Sequence, residues 1–216
     1  MSFIERYFME PQRRMKQSHF EELTLIDGQV VFLGDSITEG GAWNEWFPQA
    51  PVINRGIGGD TTDGVMKRLD TAIHHPSQVF LLIGTNDLAL RRPADQIRAN
   101  QRPIVEGIVT RAPETDLNIQ SVMPRKPKFR ARIEQLNDTY RSLAQEFGAT
   151  YLDLWPALSD GAGALNPAFT LDGLHLNGAG YGAWTGLLRP YVHATAGGRR
   201  PADTTADAVS TVTSAE

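Results

Sequence analysis

Five short apolar runs punctuate the chain, at positions 29–33, 51–54, 78–84, 117–123 and 150–154. Each is rich in Val, Ile, Leu or Phe and short, as expected for a strand buried on both faces. Helix-compatible stretches lie between them at 43–46, 62–73, 94–111 and 130–147, and a last one follows at 178–193. Strand and helix therefore alternate, which predicts right-handed βαβ crossovers and an α/β fold, a three-layer α/β/α sandwich around a five-stranded parallel sheet. In such folds ligands sit outside the carboxyl ends of the strands, so the segment after each run is where chemistry is expected.

Ahead of the first run, Phe3, Ile4, Tyr7, Phe8, Met15, Phe20 and Leu23 are spaced like one helical face, interrupted by Pro11. This predicts a helical lead-in over 1–25, packed on a main domain at 26–194. From 195 to 216 the composition shifts to Ala, Thr, Gly, Asp and Ser, which predicts a disordered tail. No internal repeat is visible.

Composition narrows the function classes. With 216 residues, 41% of them hydrophobic and 21% charged, the chain is sized for one compact domain. A formal net charge of −4 leaves no surplus of Lys and Arg to neutralise phosphates, which argues against nucleic acid as a partner. The chain has no cysteine, so disulfides, thiolate nucleophiles and Cys-ligated zinc are excluded and covalent catalysis falls to oxygen or nitrogen. Glu5, Arg6, Glu10, Arg13, Arg14 and Lys16 break up the first twenty residues, and no run of about 18 apolar residues occurs anywhere. The expectation is a soluble, cytoplasmic protein with no membrane span.

The first run leads into Gly34-Asp35-Ser36-Ile37-Thr38, where a strand-to-helix turn can expose the Ser hydroxyl near amide groups and the positive end of a helix dipole. The same residues serve equally well as an ordinary helix cap. The second run ends in a glycine-rich stretch, Asn54 to Thr62, that lets the backbone approach a ligand and turn an N–H into a site, or simply makes a tight turn. Gly84-Thr85-Asn86-Asp87 follows the third, and the Asn86 amide can donate to a developing oxyanion or serve turn chemistry. The fourth closes on the basic loop Pro124-Arg125-Lys126-Pro127. After the fifth, a long loop at 156–170 leads to Asp172-Gly173-Leu174-His175, where the carboxylate can accept from one imidazole nitrogen while the other faces a nucleophile. His19, His74, His75 and His193 have weaker claims, and no metal-ligand spacing is present.

Jointly these blocks resemble the SGNH hydrolases, the GDSL-type esterase superfamily, over about 30–191. The matching segments are Gly34-Asp35-Ser36-Ile37-Thr38, Gly58-Gly59-Asp60-Thr61, Gly84-Thr85-Asn86-Asp87 and Asp172-Gly173-Leu174-His175. Ile37 stands where the family's first motif ends in Leu. Within the superfamily the run Asn54 to Thr62 is most similar to catalytic subunits of the platelet-activating-factor acetylhydrolase type and their bacterial relatives.

The resemblance implies a flavodoxin-like SGNH fold and a serine esterase without cofactor or metal. Ser36 would be the nucleophile, His175 the base and Asp172 its orienting partner; the Ser36 and Gly59 N–H groups and the Asn86 side chain would form the oxyanion hole. Asp35, Asp60 and Arg125 are candidate substrate contacts. The expected substrate is a small-molecule ester, its acyl group short and acetyl above all, because a chain of this size has little room for a lid and a deep tunnel. A homodimer is permitted. Competing readings are a catalytically silent binding module of the same fold, an acyltransferase with an alcohol acceptor, and a nucleotide- or flavin-binding flavodoxin-like protein.

Overall fold

The computed structural model of the chain describes residues 10–193. The apolar runs become β1 (Val30–Gly34), β2 (Val52–Gly56), β3 (Gln78–Leu82), β4 (Asp116–Gln120) and β5 (Thr150–Leu152), all paired in parallel in the order β2-β1-β3-β4-β5. The chain moves one way along the sheet from β1 to β2 and the other way from then on. The topological switch point thus lies between β1 and β3, and the crevice outside their carboxyl ends is the expected ligand site.

Right-handed crossovers convert that reversal into two faces. The short helices α2 (Ser36–Glu39) and α3 (Trp43–Trp46) cover one face, while α4 (Thr62–Lys67), α6 (Ala94–Arg111) and α7 (Arg130–Glu146) cover the other; α5 (Thr85–Ala89) caps the carboxyl end of β3. After β5, α8 (Trp155–Leu158) and α9 (Gly178–Leu188) turn back to complete the first face. Side chains alternate along each strand. Val31, Leu33, Val79 and Leu81 enter one core and Val30, Phe32, Phe80 and Leu82 the other, which is why the strands read as unbroken apolar runs.

Several boundaries differ from the sequence expectation, for physical reasons. Ile83, Val122, Met123 and Leu154 stay buried past the ends of their ladders. There the backbone is satisfied by side chains: Asn137 accepts from the Val122 N–H at 2.7 Å and donates to its carbonyl at 3.1 Å. Pro11 does not interrupt α1 (Glu10–Glu22) but occupies its first turn, where a missing N–H costs no hydrogen bond. Only Phe20 of α1 is buried, packed under the Arg55 guanidinium at 4.8 Å, while Met15 and Leu23 are exposed. The remainder of that expected helical face, and the tail at 195–216, lie outside the described residues. The stretch 62–73 is not one helix, since it leaves α-geometry at Arg68 and ends in a 3₁₀ turn at Leu69–Thr71. The last helix stops at Leu188, two residues short of Pro190, which has no N–H to continue it.

Among the described residues no helix is long and apolar enough to cross a membrane. The face bearing α9 is built on aromatic contacts, with Phe32 stacked on Trp43 at 4.0 Å and on Phe80 at 4.9 Å, and Trp184 set edge-on to Trp43 at 4.8 Å. Phe32→Ala is therefore expected to cost about 3–5 kcal/mol, read as a lower urea midpoint with unchanged slope. A loss below about 1 kcal/mol would mean that this stack does not organise the core.

Candidate active site

Gly34 ends β1 where a Cβ would lie 2.4 Å from the Leu82 carbonyl and 2.2 Å from the Thr38 hydroxyl, so only glycine lets the chain turn this tightly into α2. Asp35 caps that helix, its Oδ1 accepting from the Ile37 N–H at 3.0 Å. Ser36 is thereby the first helical residue. Its own N–H has no intrahelical acceptor and its hydroxyl faces the crevice.

His175 reaches that hydroxyl from the other end of the chain, with Nε2 3.0 Å from Ser36 Oγ. Its Nδ1 lies 2.7 Å from Asp172 Oδ2. Asp172 Oδ1 also accepts from the N–H groups of Leu174 and His175, both at 2.8 Å. The His175 side-chain hydrogen bond is the largest cause, and these amides a further one, holding the Asp172 carboxyl well below the usual carboxylate range. An ionised carboxylate only accepts. Nδ1 therefore carries the proton, and Nε2 is left with the lone pair directed at Ser36. Thr170, unremarked in sequence, steadies the turn by accepting from the Gly173 N–H at 2.9 Å and bonding to Asp172 at 3.3 Å.

The glycine-rich stretch closes the crevice from the β2 side. Gly59 sits at φ +71°, a backbone conformation that side chains rarely adopt. The Gly58 N–H is occupied by the Glu39 carboxylate at 2.7 Å, and the Gly59 carbonyl accepts from Arg13 at 2.8 Å. Asn86, in the first turn of α5, donates one Nδ2 proton to the Asp60 carbonyl at 2.8 Å, which leaves the second for another acceptor. Asp87 bonds both the N–H and the hydroxyl of Thr62, at 3.0 and 2.9 Å.

Two of the three candidate substrate contacts, Asp35 and Asp60, are turned into the protein, whereas the buried Nε of Arg125 has no hydrogen-bond partner among the described residues. Asp35 and Asp60 are only 1% and 4% exposed, so neither carboxylate faces solvent. Asp60 receives the Arg68 Nε at 2.7 Å. Arg125 donates to the Thr85 carbonyl at 2.9 Å and lies over the Phe129 ring at 4.2 Å. What the sequence reading missed are the residues that hold the loops, namely Arg13, Glu39 and Arg68. Nothing in their sequence surroundings sets them apart, since Arg13 is one of several charged residues in α1 and the groups that Arg13, Glu39 and Arg68 hold are largely backbone. Among the described residues no group of three or more His, Asp or Glu side chains is placed to hold a metal ion.

Known proteins resemble this chain over most of its length. The GDSL-like lipase/acylhydrolase family matches residues 32–183. The human platelet-activating factor acetylhydrolase IB subunit alpha1 is 30% identical over 164 residues, covering 71% of this chain and 70% of its own. A platelet-activating-factor structure from Streptococcus pneumoniae superposes with a TM-score of 0.80 at 26% identity, over 88% of this chain and 97% of the other. An acylhydrolase structure from Bacteroides fragilis superposes at 0.68 and 26% identity, over 82% and 93%.

Asp35 yields a pH test. Burial, abetted by the nearby carboxylates of Asp60 and Asp87, raises its pKa to about 7, against about 4 in an unfolded chain. Between those values the folded state holds a proton that the unfolded state has lost. Its contribution to stability therefore falls as pH rises from about 4 to 7 and levels off above. An asparagine at this position would keep the cap without the titrating proton, so the melting temperature of Asp35→Asn relative to wild type should climb between pH 4.5 and 8. Parallel curves would show that Asp35 is ionised throughout.

Proposed function

The chain belongs to the GDSL-like lipase/acylhydrolase family and is a carboxylic ester hydrolase, and on that footing we propose that it cleaves short-acyl esters in two steps through Ser36, His175 and Asp172. The observation that carries this reading is the 3.0 Å approach of Ser36 Oγ and His175 Nε2 across 139 residues of sequence, with Asp172 2.7 Å behind the imidazole.

In the first step His175 Nε2 takes the Ser36 proton as Oγ attacks the ester carbonyl carbon. The carbonyl oxygen becomes an oxyanion, for which the N–H groups of Ser36 and Gly59 and the free Nδ2 proton of Asn86 are the donors. The tetrahedral intermediate collapses, the C–O bond to the alcohol breaks, and the imidazolium protonates the departing alkoxide. In the second step His175 deprotonates a water, which attacks the acyl-Ser36 carbonyl and releases the acid and the restored hydroxyl. Asp172 accepts from Nδ1–H throughout and favours the imidazolium without taking its proton.

Support for a short acyl group, acetyl first, comes from the openness of the site. The His175 and Asp172 side chains are 49% and 54% exposed, so among the described residues no deep tunnel encloses the reacting atoms. The acetylhydrolase name of the human relative points the same way. The same exposure favours water as the second nucleophile over a competing alcohol, because an acyl group on Ser36 stands open to bulk solvent.

Hydrolysis of p-nitrophenyl esters from acetate to palmitate tests this reading. Acetate should be the best substrate, with rates falling as the chain lengthens, and Ser36→Ala should be folded and silent. Asn86→Ala should lose about 10²- to 10³-fold in kcat. A preference for palmitate would sink the short-acyl assignment; wild type as inactive as Ser36→Ala across the series would leave a silent binding module.

A further inference from the structure

The Gly58–Gly59 pair is the most pliable stretch of the site, yet the donor it would supply has to be aimed in advance, since preorganised N–H groups lower a barrier and reorienting ones do not. The peptide unit carrying the Gly59 N–H lies between two units that are held from outside. On one side the Gly58 N–H is fixed by Glu39, whose other oxygen meets Lys16 of α1 at 3.3 Å. On the other side the Gly59 carbonyl receives the Arg13 guanidinium, also from α1, and the Asp60 N–H returns to the Ile57 carbonyl at 3.1 Å. Glu10 orients Arg13 in turn, accepting from its Nη2 at 2.9 Å and its Nε at 3.3 Å.

Resting on the serine-esterase reading, we propose that Arg13 is a positioning residue for the oxyanion hole, so that helix α1, which carries none of the catalytic residues, belongs to the catalytic apparatus through the Gly59 carbonyl. The contact is polar rather than a by-product of packing. Where α1 faces α4, a cavity of about 320 Å³ lies between them, its lining as apolar as it is polar and including Arg13, Arg14, Ile57, Asp60, Arg68 and Leu90. α1 is also seated on the body by Phe20, two turns further along, under the Arg55 guanidinium, and by the Lys16–Glu39 pair. Loss of the Arg13 donor is therefore expected to leave those two contacts in place and to free the loop.

The experiment compares wild type, Arg13→Met, which keeps the aliphatic stem and removes the donors, and Arg13→Lys. On p-nitrophenyl acetate Arg13→Met should lose about tenfold in kcat, a fraction of what complete loss of one oxyanion donor costs, with KM within about twofold. Arg13→Lys should recover most of that loss, because one ammonium proton suffices for the carbonyl. Amide ¹⁵N relaxation should show Gly58, Gly59 and Asp60 becoming mobile in Arg13→Met while the β-strands stay rigid. Unchanged kcat, a loss confined to KM, or a loss that lysine does not rescue would overturn the proposal. If wild type cleaves no ester, the esterase reading fails separately, and relaxation still decides whether Arg13 orders Gly59: unaltered mobility in Arg13→Met overturns the brace, and a newly mobile loop sustains it.

Discussion

One buried guanidinium ties together the pieces on which the crevice depends. Arg68, with 1% of its side chain exposed, donates Nε to Asp60 at 2.7 Å, Nη1 to the Arg55 carbonyl at 2.9 Å and Nη2 to the Gly34 carbonyl at 2.9 Å. Those carbonyls lie at the ends of β2 and β1, the points from which the chain departs towards Gly59 and Ser36. A planar fork carries its donors on three nitrogens in fixed directions and so reaches three acceptors spread apart, whereas the three protons of a lysine radiate from a single nitrogen. Burial pushes the Asp60 carboxyl up, and the adjacent guanidinium makes its charged form tolerable there. A buried pair of this kind adds little net stability compared with apolar packing. Its value lies in fixing where two strand ends stand relative to each other.

From that anchor the loops are laced to one another in sequence. Asn86 ties the loop after β3 to the Asp60 carbonyl, and Asp87, fully buried, grips Thr62 and accepts from Arg92 at 2.9 Å. Adjacent residues of one motif thus perform different tasks: Asn86 faces the crevice, and Asp87 faces away and secures the neighbouring loop. The candidate oxyanion donors come from three separate segments, yet each segment is bonded to the next, so their spacing is set before any substrate arrives.

The sheet was legible in the chain because a parallel strand covered on both faces must be apolar at every position, and such runs are hard to mistake when helices intervene. The set Ser36, Asp172 and His175 was legible because each follows a strand or precedes a helix at the carboxyl edge. Their neighbours were not. Asp35 and Asp60 occupy equally suggestive positions, but whether a carboxylate faces solvent or caps a helix depends on its rotamer and on the residues packed over it, which no local pattern encodes. Arg68 was hidden for the related reason that its partners are backbone carbonyls, which every residue possesses. The outer face of α1 misled in the opposite sense: its apolar spacing was real, but of Met15, Phe20 and Leu23 only Phe20 found a surface to cover.

His175 and Asp172 belong to a single four-residue turn, and the turn's own amides point at the carboxylate. Their mutual geometry is consequently a local property, indifferent to the rest of the fold. Only one long-range distance, from Ser36 to His175, has to be conserved for the three groups to remain aligned. Within the stretch at 156–170 that delivers the turn, Leu158 and Leu165 are fixed in the core and Thr170 in the turn, but the exposed tip around Gly161 can change as long as the chain returns to the same landing point. Evolution, or an engineer, could therefore resculpt that tip without realigning the chemistry.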